Sequence, residues 1–106
     1  MSRLSEVLDR LAATIEARKG ADPSASWTAR LLADPSLAAK KLGEEAVEAV
    51  IAATLKDKDA LAAESADVLY HLLALLAASE VPLDAVAARL EAREGQSGIS
   101  EKAGRS

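Results

Sequence analysis

Side chains that favour strands are scarce in this chain: six valines, three isoleucines, no phenylalanine, and two aromatics, Trp27 and Tyr70. Against them stand 25 alanines and 16 leucines in 106 residues. Alanine and leucine head the helix-propensity scale, whereas β-branched and aromatic residues fill pleated sheets. The fold is therefore expected to be all-α, and the length suits one domain. A core of methyl groups and leucines leaves each helix marginal alone, so helices from a second copy would help to complete it.

Apolar spacing places the helices. Leu4, Leu8, Leu11 and Ile15 recur at intervals of four, three and four, one stripe of a first helix capped by Ser2 and running to about Arg18. Gly20, Pro23 and three serines or aspartates then break the pattern, and Trp27 to Ala33 reads as a short helix capped by Ser26. Asp34-Pro35 reads as an N-cap followed by proline in the first turn, opening a long helix to about Leu55. The charged run Lys56-Asp57-Lys58-Asp59 ends it, and a further helix is expected from about Ala60 to Ser79, stopped before Pro82. A last one spans Leu83 to about Arg93, with Gly95 as its stop. The reading is thus a four-to-five-helix bundle over residues 1–94, followed by a flexible tail, 95–106.

With no cysteine, disulfide scaffolds, zinc-thiolate sites, iron–sulfur clusters and cysteine nucleophiles are excluded together, and a reducing cytoplasm is permitted. A net charge of −4 disfavours a nucleic-acid partner. The longest uninterrupted apolar run, Leu72 to Ala78, falls far short of the ~20 residues that span a bilayer, and the N-terminus shows no apolar signal core, so no membrane partner is expected.

The carboxylates carry the chemistry. From Leu42 to Leu55 every residue is apolar or small except Glu44, Glu45, Glu48 and Thr54, and at 100° per residue Glu48 falls between the other two glutamates. Glu64 and Asp67 repeat the arrangement in the next apolar helix, with His71, the single histidine, one turn beyond. If the two helices pair antiparallel, four or five carboxylates converge, which calls for bound cations or shifted protonation. All-oxygen ligands favour Mg2+, with Mn2+ as an alternative, over zinc or copper. A ferritin-like di-iron site needs Glu-x-x-His on two helices, which one histidine cannot supply. His71 reads either as a metal ligand or as a partly buried histidine hydrogen-bonded near the site, and Tyr70 as a packing aromatic whose hydroxyl finds a partner.

Glu44-Glu45-x-x-Glu48 followed by Glu64-x-x-Asp67 resembles the metal signature of the all-α nucleoside-triphosphate pyrophosphatases, the MazG and dimeric dUTPase superfamily. The flanks, Ile15-Glu16-Ala17-Arg18-Lys19-Gly20-Ala21-Asp22-Pro23, Ser26-Trp27-Thr28, Lys40-Lys41-Leu42-Gly43 and Asp67-Val68-Leu69-Tyr70-His71, with Ser97 to Ala103 in the tail, are similar to the phosphoribosyl-ATP pyrophosphatase family of histidine biosynthesis. The resemblance implies a MazG-like bundle, a cytoplasmic dimer, and Mg-dependent hydrolysis of 1-(5-phosphoribosyl)-ATP to 1-(5-phosphoribosyl)-AMP and pyrophosphate. It maps metal ligands onto Glu45, Glu48, Glu64 and Asp67. Glu44 becomes either a further ligand or the group that deprotonates the attacking water.

Substrate contacts are expected from Arg18 and Lys19 in the loop, Ser26, Trp27 and Thr28 at the following helix start, Lys40 and Lys41 a turn before the acidic cluster, and Lys102 in the tail. Lys41 reads equally well as an i,i+3 partner of the glutamates. Trp27 stands where the family pattern leads one to expect tyrosine, which removes a hydroxyl and keeps a face for stacking. Two rival readings are a housekeeping nucleoside-triphosphate pyrophosphatase of the same fold and a non-catalytic helical interaction module with solvated acidic stripes.

Overall fold

The computed structural model describes residues 2–95, which form five α-helices and no strand: α1 (Arg3–Ala17), α2 (Trp27–Ala33), α3 (Pro35–Thr54), α4 (Lys58–Ala78) and α5 (Leu83–Glu91). The expected caps are in place. Ser2 Oγ accepts the Ser5 N–H, Ser26 Oγ accepts that of Ala29, and Asp34 Oδ1 accepts that of Leu37, each satisfying an otherwise orphaned donor of a first turn. One boundary moves. Helix α4 begins at Lys58 rather than Ala60, because Asp57 is its N-cap and accepts the Ala60 N–H at 3.0 Å. The charged run read as a break is a cap and a first turn.

Helices α3 and α4 pack along each other as an antiparallel hairpin, and α1 and α2 lie on α4. The buried core is small: Leu31, Ala38 and Ala74 at the junction of α2, α3 and α4, with Leu37, Tyr70 and Leu75 against them, and Ile15 and Ala52 buried apart. Alanine at the crossing points lets helix axes approach toward the short end of the usual 8–10 Å range. Thr28 Oγ1 and the Tyr70 hydroxyl share a hydrogen bond that pins the first turn of α2 to α4, which supplies the partner expected for Tyr70.

The described chain is open. Its radius of gyration is 15.8 Å, against about 13 Å for a compact chain of this length, and Val47, Val50, Ile51 and Leu55 remain exposed on α3, as do Leu83 and Leu90 on α5. Over an 18-residue window α4 has a mean hydropathy of 1.4, so by length and composition it is long and apolar enough to cross a membrane. The short apolar runs had pointed the other way, because Glu64, Asp67 and His71 interrupt them without lowering the average below that mark. The same helix carries these polar groups and receives α1, α2 and α3, as the central helix of a bundle does.

Two tight connections are built from non-glycine residues in left-handed backbone. After α3, Lys56 has φ 58°, its N–H bonds Ala53 O and the Asp57 N–H bonds Ala52 O; after α4, Glu80 has φ 57° with bonds to Ala77 O and from Val81 N–H to Leu76 O. These are Schellman closures, where glycine is ordinarily preferred. A side chain in that region costs about 1–2 kcal/mol, and glycine returns part of the gain as backbone entropy. Lys56→Gly should therefore stabilise the fold by roughly 0.5–1 kcal/mol, read as a higher denaturation midpoint at unchanged slope.

Candidate active site

Helical phase puts Glu45 and Glu48 on the side of α3 that meets α4, and the short turn between the helices brings Glu64 opposite them. One carboxylate oxygen from each of the three lies within 4.8 Å of the others. Glu64 Oε2 is sealed from solvent with no hydrogen-bond partner, while Glu45 is half-buried and Glu48 exposed. The Glu64 carboxyl is pushed up to about 7, first by the Glu45 carboxyl beside it and then by that of Glu48, whose oxygens favour its protonated form, with burial and the two like charges adding. Ionised together, the three groups repel, and a proton or a cation between them would relieve the repulsion.

Of the convergence expected from sequence, three carboxylates meet rather than four or five. Glu44 turns aside and bonds Lys41 Nζ at 3.2 Å, the i,i+3 pairing that was one of the two readings of Lys41. Asp67 stands one turn further along α4 and about 60° round from Glu64, exposed and outside the cluster of oxygens. Its main-chain oxygen accepts the His71 Nδ1–H at 2.8 Å. That bond leaves Nε2 as the acceptor nitrogen, buried without a partner in a residue only 6% exposed. His71 is thus the hydrogen-bonded histidine near the site.

The donor set fits a hard divalent cation. Three carboxylates supply oxygen only, and one of their oxygens is buried and unsatisfied. Oxygens around one Mg2+ at ~2.1 Å lie at most ~4.2 Å apart, so small rotamer shifts close the observed spacing.

Helix α4 spaces out the remaining expected contacts. Thr28 is engaged by Tyr70, six residues and about 9 Å along the axis from Glu64. Ser26 is occupied as a cap, and Trp27 is 43% exposed with the Arg30 guanidinium 5.7 Å from its ring centroid. Arg30 was not singled out in the sequence; its i+3 spacing from an aromatic was the available signal. Lys19 is ion-paired to Glu16 at 3.1 Å and lines two clefts of about 440 Å3 each that also touch Ala77, 13 residues and about 20 Å beyond Glu64. Arg18 caps α1 at the same end, and neither converges with the acidic cluster of its own chain. Lys40 is exposed a turn before Glu44. Lys102 lies outside the described residues.

The family described as phosphoribosyl-ATP pyrophosphohydrolase matches residues 8–94. The phosphoribosyl-ATP pyrophosphatase of Caulobacter vibrioides strain NA1000 / CB15N is 76% identical over 103 residues, 97% of this chain and 96% of the relative. Proteins of the same name from Cereibacter sphaeroides strain KD131 and Jannaschia sp. strain CCS1 are 66% identical over 100 residues and 60% over 99, covering 93% and 92% of this chain and 97% of each relative. The chain belongs to the phosphoribosyl-ATP pyrophosphohydrolase family. It is accordingly a hydrolase, and the reading as a non-catalytic helical module is set aside.

The crowding of Glu45, Glu48 and Glu64 in this acidic seam makes stability depend on pH. Glu64 binds its proton more tightly folded, at about 7, than at its ordinary value of 4.5. The folded state therefore holds more protons between these limits, and stability falls as pH rises from about 4.5 through 7. Thermal melts in EDTA should lose midpoint between pH 5 and pH 8, Glu64→Gln should flatten that dependence, and Mg2+ should raise the midpoint most above pH 7. A midpoint independent of pH in the metal-free protein would contradict the seam.

Proposed function

We propose that the enzyme hydrolyses 1-(5-phosphoribosyl)-ATP to 1-(5-phosphoribosyl)-AMP and pyrophosphate with Mg2+, the second step of histidine biosynthesis, as a cytoplasmic homodimer. The observation that carries the reading is the meeting of Glu45, Glu48 and Glu64 around a buried, unpaired carboxylate oxygen, in a chain up to 76% identical to proteins named for this activity. Bound there, Mg2+ supplies charge neutralisation for the triphosphate and a Lewis acid for the phosphoryl transfer.

The protein's own groups divide the remaining work. Glu45, Glu48 and Glu64 would hold the cation, with Asp67, exposed one turn away on α4, as the further carboxylate that could complete the set. Glu44 sits at the solvent edge of the seam, where its carboxylate can orient the attacking water and take its proton. Lys41, now on Glu44, and Lys40 beside it are cations within a turn of the cluster, suited to the phosphate oxygens. Thr28 and Ser26 hold the start of α2 against α4 and so set where Trp27 stands.

Arg18 and Lys19 stand about 20 Å along α4 from the cluster of their own chain, too far for its phosphates. Their part in substrate binding therefore requires a site shared across a subunit boundary, with Lys102 of the tail as a further contact. The open chain supports the dimer: Val47, Val50, Ile51 and Leu55 make an exposed apolar stripe on α3 beside the acidic arc, with Val50 65% exposed. Burying such a stripe contributes roughly 25 cal/mol per Å2.

Pyrophosphate release should be far faster from phosphoribosyl-ATP than from dATP, dCTP or dUTP; the reverse order would favour a housekeeping pyrophosphatase of the same fold. Glu48→Ala should reduce turnover at least about a hundredfold at unchanged helical circular dichroism. The wild-type gene should restore growth without histidine to an auxotroph lacking this step, and the Glu48→Ala gene should not. Sedimentation should report two chains, and Val50→Glu should shift the protein toward monomer with loss of activity.

A further inference from the structure

The acidic seam handles what every nucleoside triphosphate shares. Selection of one of them has to come from contacts at the other end of the molecule, the base and what it carries. On the reading above, the feature that separates the substrate from ATP is a second ribose bearing a 5-phosphate, attached at position 1 of the purine ring. A site for that end needs an apolar face for the ring and a cation for the added phosphate, within one nucleotide's reach of the seam.

One pair of side chains among the described residues answers that description. Trp27 is the single tryptophan of the chain and is 43% exposed. The Arg30 guanidinium covers one side of the indole at 5.7 Å, and Arg30 makes no ion pair among the described residues. At that cation–π distance the guanidinium still has N–H donors for a bidentate anion, a fork that an ammonium in that place could not offer. The Thr28–Tyr70 hydrogen bond anchors the pair to α4 six residues from Glu64, about 9 Å on the helix axis and about 120° round it. That is the scale separating the scissile phosphates of a nucleotide from its base, whereas the Lys19 clefts lie about twice as far.

We propose that Trp27 and Arg30 form the recognition platform for the base end of the substrate: the free face of the indole stacks on the purine ring, and the Arg30 guanidinium pairs with the phosphate of the ring-borne phosphoribosyl group. Both residues are thereby specificity-determining rather than catalytic. The proposal deepens the phosphoribosyl-ATP reading and rests on it.

A single tryptophan makes the test direct, because emission reports this site alone. The probes are phosphoribosyl-AMP, which keeps the ring and its phosphoribosyl group and is not turned over, and AMP, which lacks that group. Phosphoribosyl-AMP should quench or shift the emission at lower concentration than AMP. Arg30→Gln should weaken phosphoribosyl-AMP about tenfold while changing AMP by less than about twofold, and Arg30→Lys should recover part of the loss. In steady state, Trp27→Ala should raise KM for phosphoribosyl-ATP roughly tenfold with a smaller change in kcat, and Trp27→Tyr should restore it. An unchanged emission spectrum under concentrations of phosphoribosyl-AMP that inhibit turnover would overturn the platform, as would equal weakening of both probes by Arg30→Gln. Absence of phosphoribosyl-ATP turnover in the wild-type enzyme would instead overturn the reading beneath it, and the proposal with it.

Discussion

Three carboxylates face one another across a pair of helices walled with alanine, and the rest of the molecule is arranged around that repulsion. The α3–α4 hairpin closes with Ala38 and Ala74 buried together in its core, Leu37, Tyr70 and Leu75 packed against them, and Ala52 buried further along α3. Closing it forces Glu45 and Glu48 against Glu64. A leucine at position 64 would remove the repulsion and, with it, one of the three clustered carboxylates. The carboxyl of Glu64, pushed up to about 7, expresses the conflict: its protonated form is favoured beside two other carboxylates. Local destabilisation at a functional site, offset by packing elsewhere, is the usual arrangement.

Packing elsewhere is thin within one chain. Among the described residues, only Ile15 and Leu31 are large side chains with almost no exposure, and α5 leaves Leu83 and Leu90 facing outward. The exposed stripe on α3 continues directly from the acidic arc, since Glu44, Glu48, Ile51 and Leu55 fall nearly in line at 100° per residue.

Much of this was legible before any coordinates. Helix propensity and capping chemistry are local, so Ser2, Ser26 and Asp34 announced three helix starts, and the scarcity of strand formers announced the fold class. The first turn of α4 was missed because Asp57 lies in a run of alternating charge that looks like a break until its side chain is seen accepting from Ala60. The acidic face was legible from periodicity, but its membership was not. Whether Glu44 joins Glu45 and Glu48 depends on a competing bond to Lys41, and whether Asp67 does depends on a 60° difference in phase from Glu64, both settled only by the register of the hairpin. Sequence spacing likewise could not say that Thr28 would be claimed by Tyr70, 42 residues away.

Helix α4 finally acts as a scale along which the expected contacts separate. Glu64 marks the cation end, Tyr70 the anchor of α2 and hence of Trp27, and Ala77 the clefts that Lys19 lines. At 1.5 Å per residue those marks fall about 9 and about 20 Å from the first. The first interval suits one nucleotide and the second exceeds it. Residues that stand close in the sequence, a basic loop and the helix start that follows it, thus fall at different places along α4 from Glu64, because the end of α1 and the start of α2 meet that helix at different points.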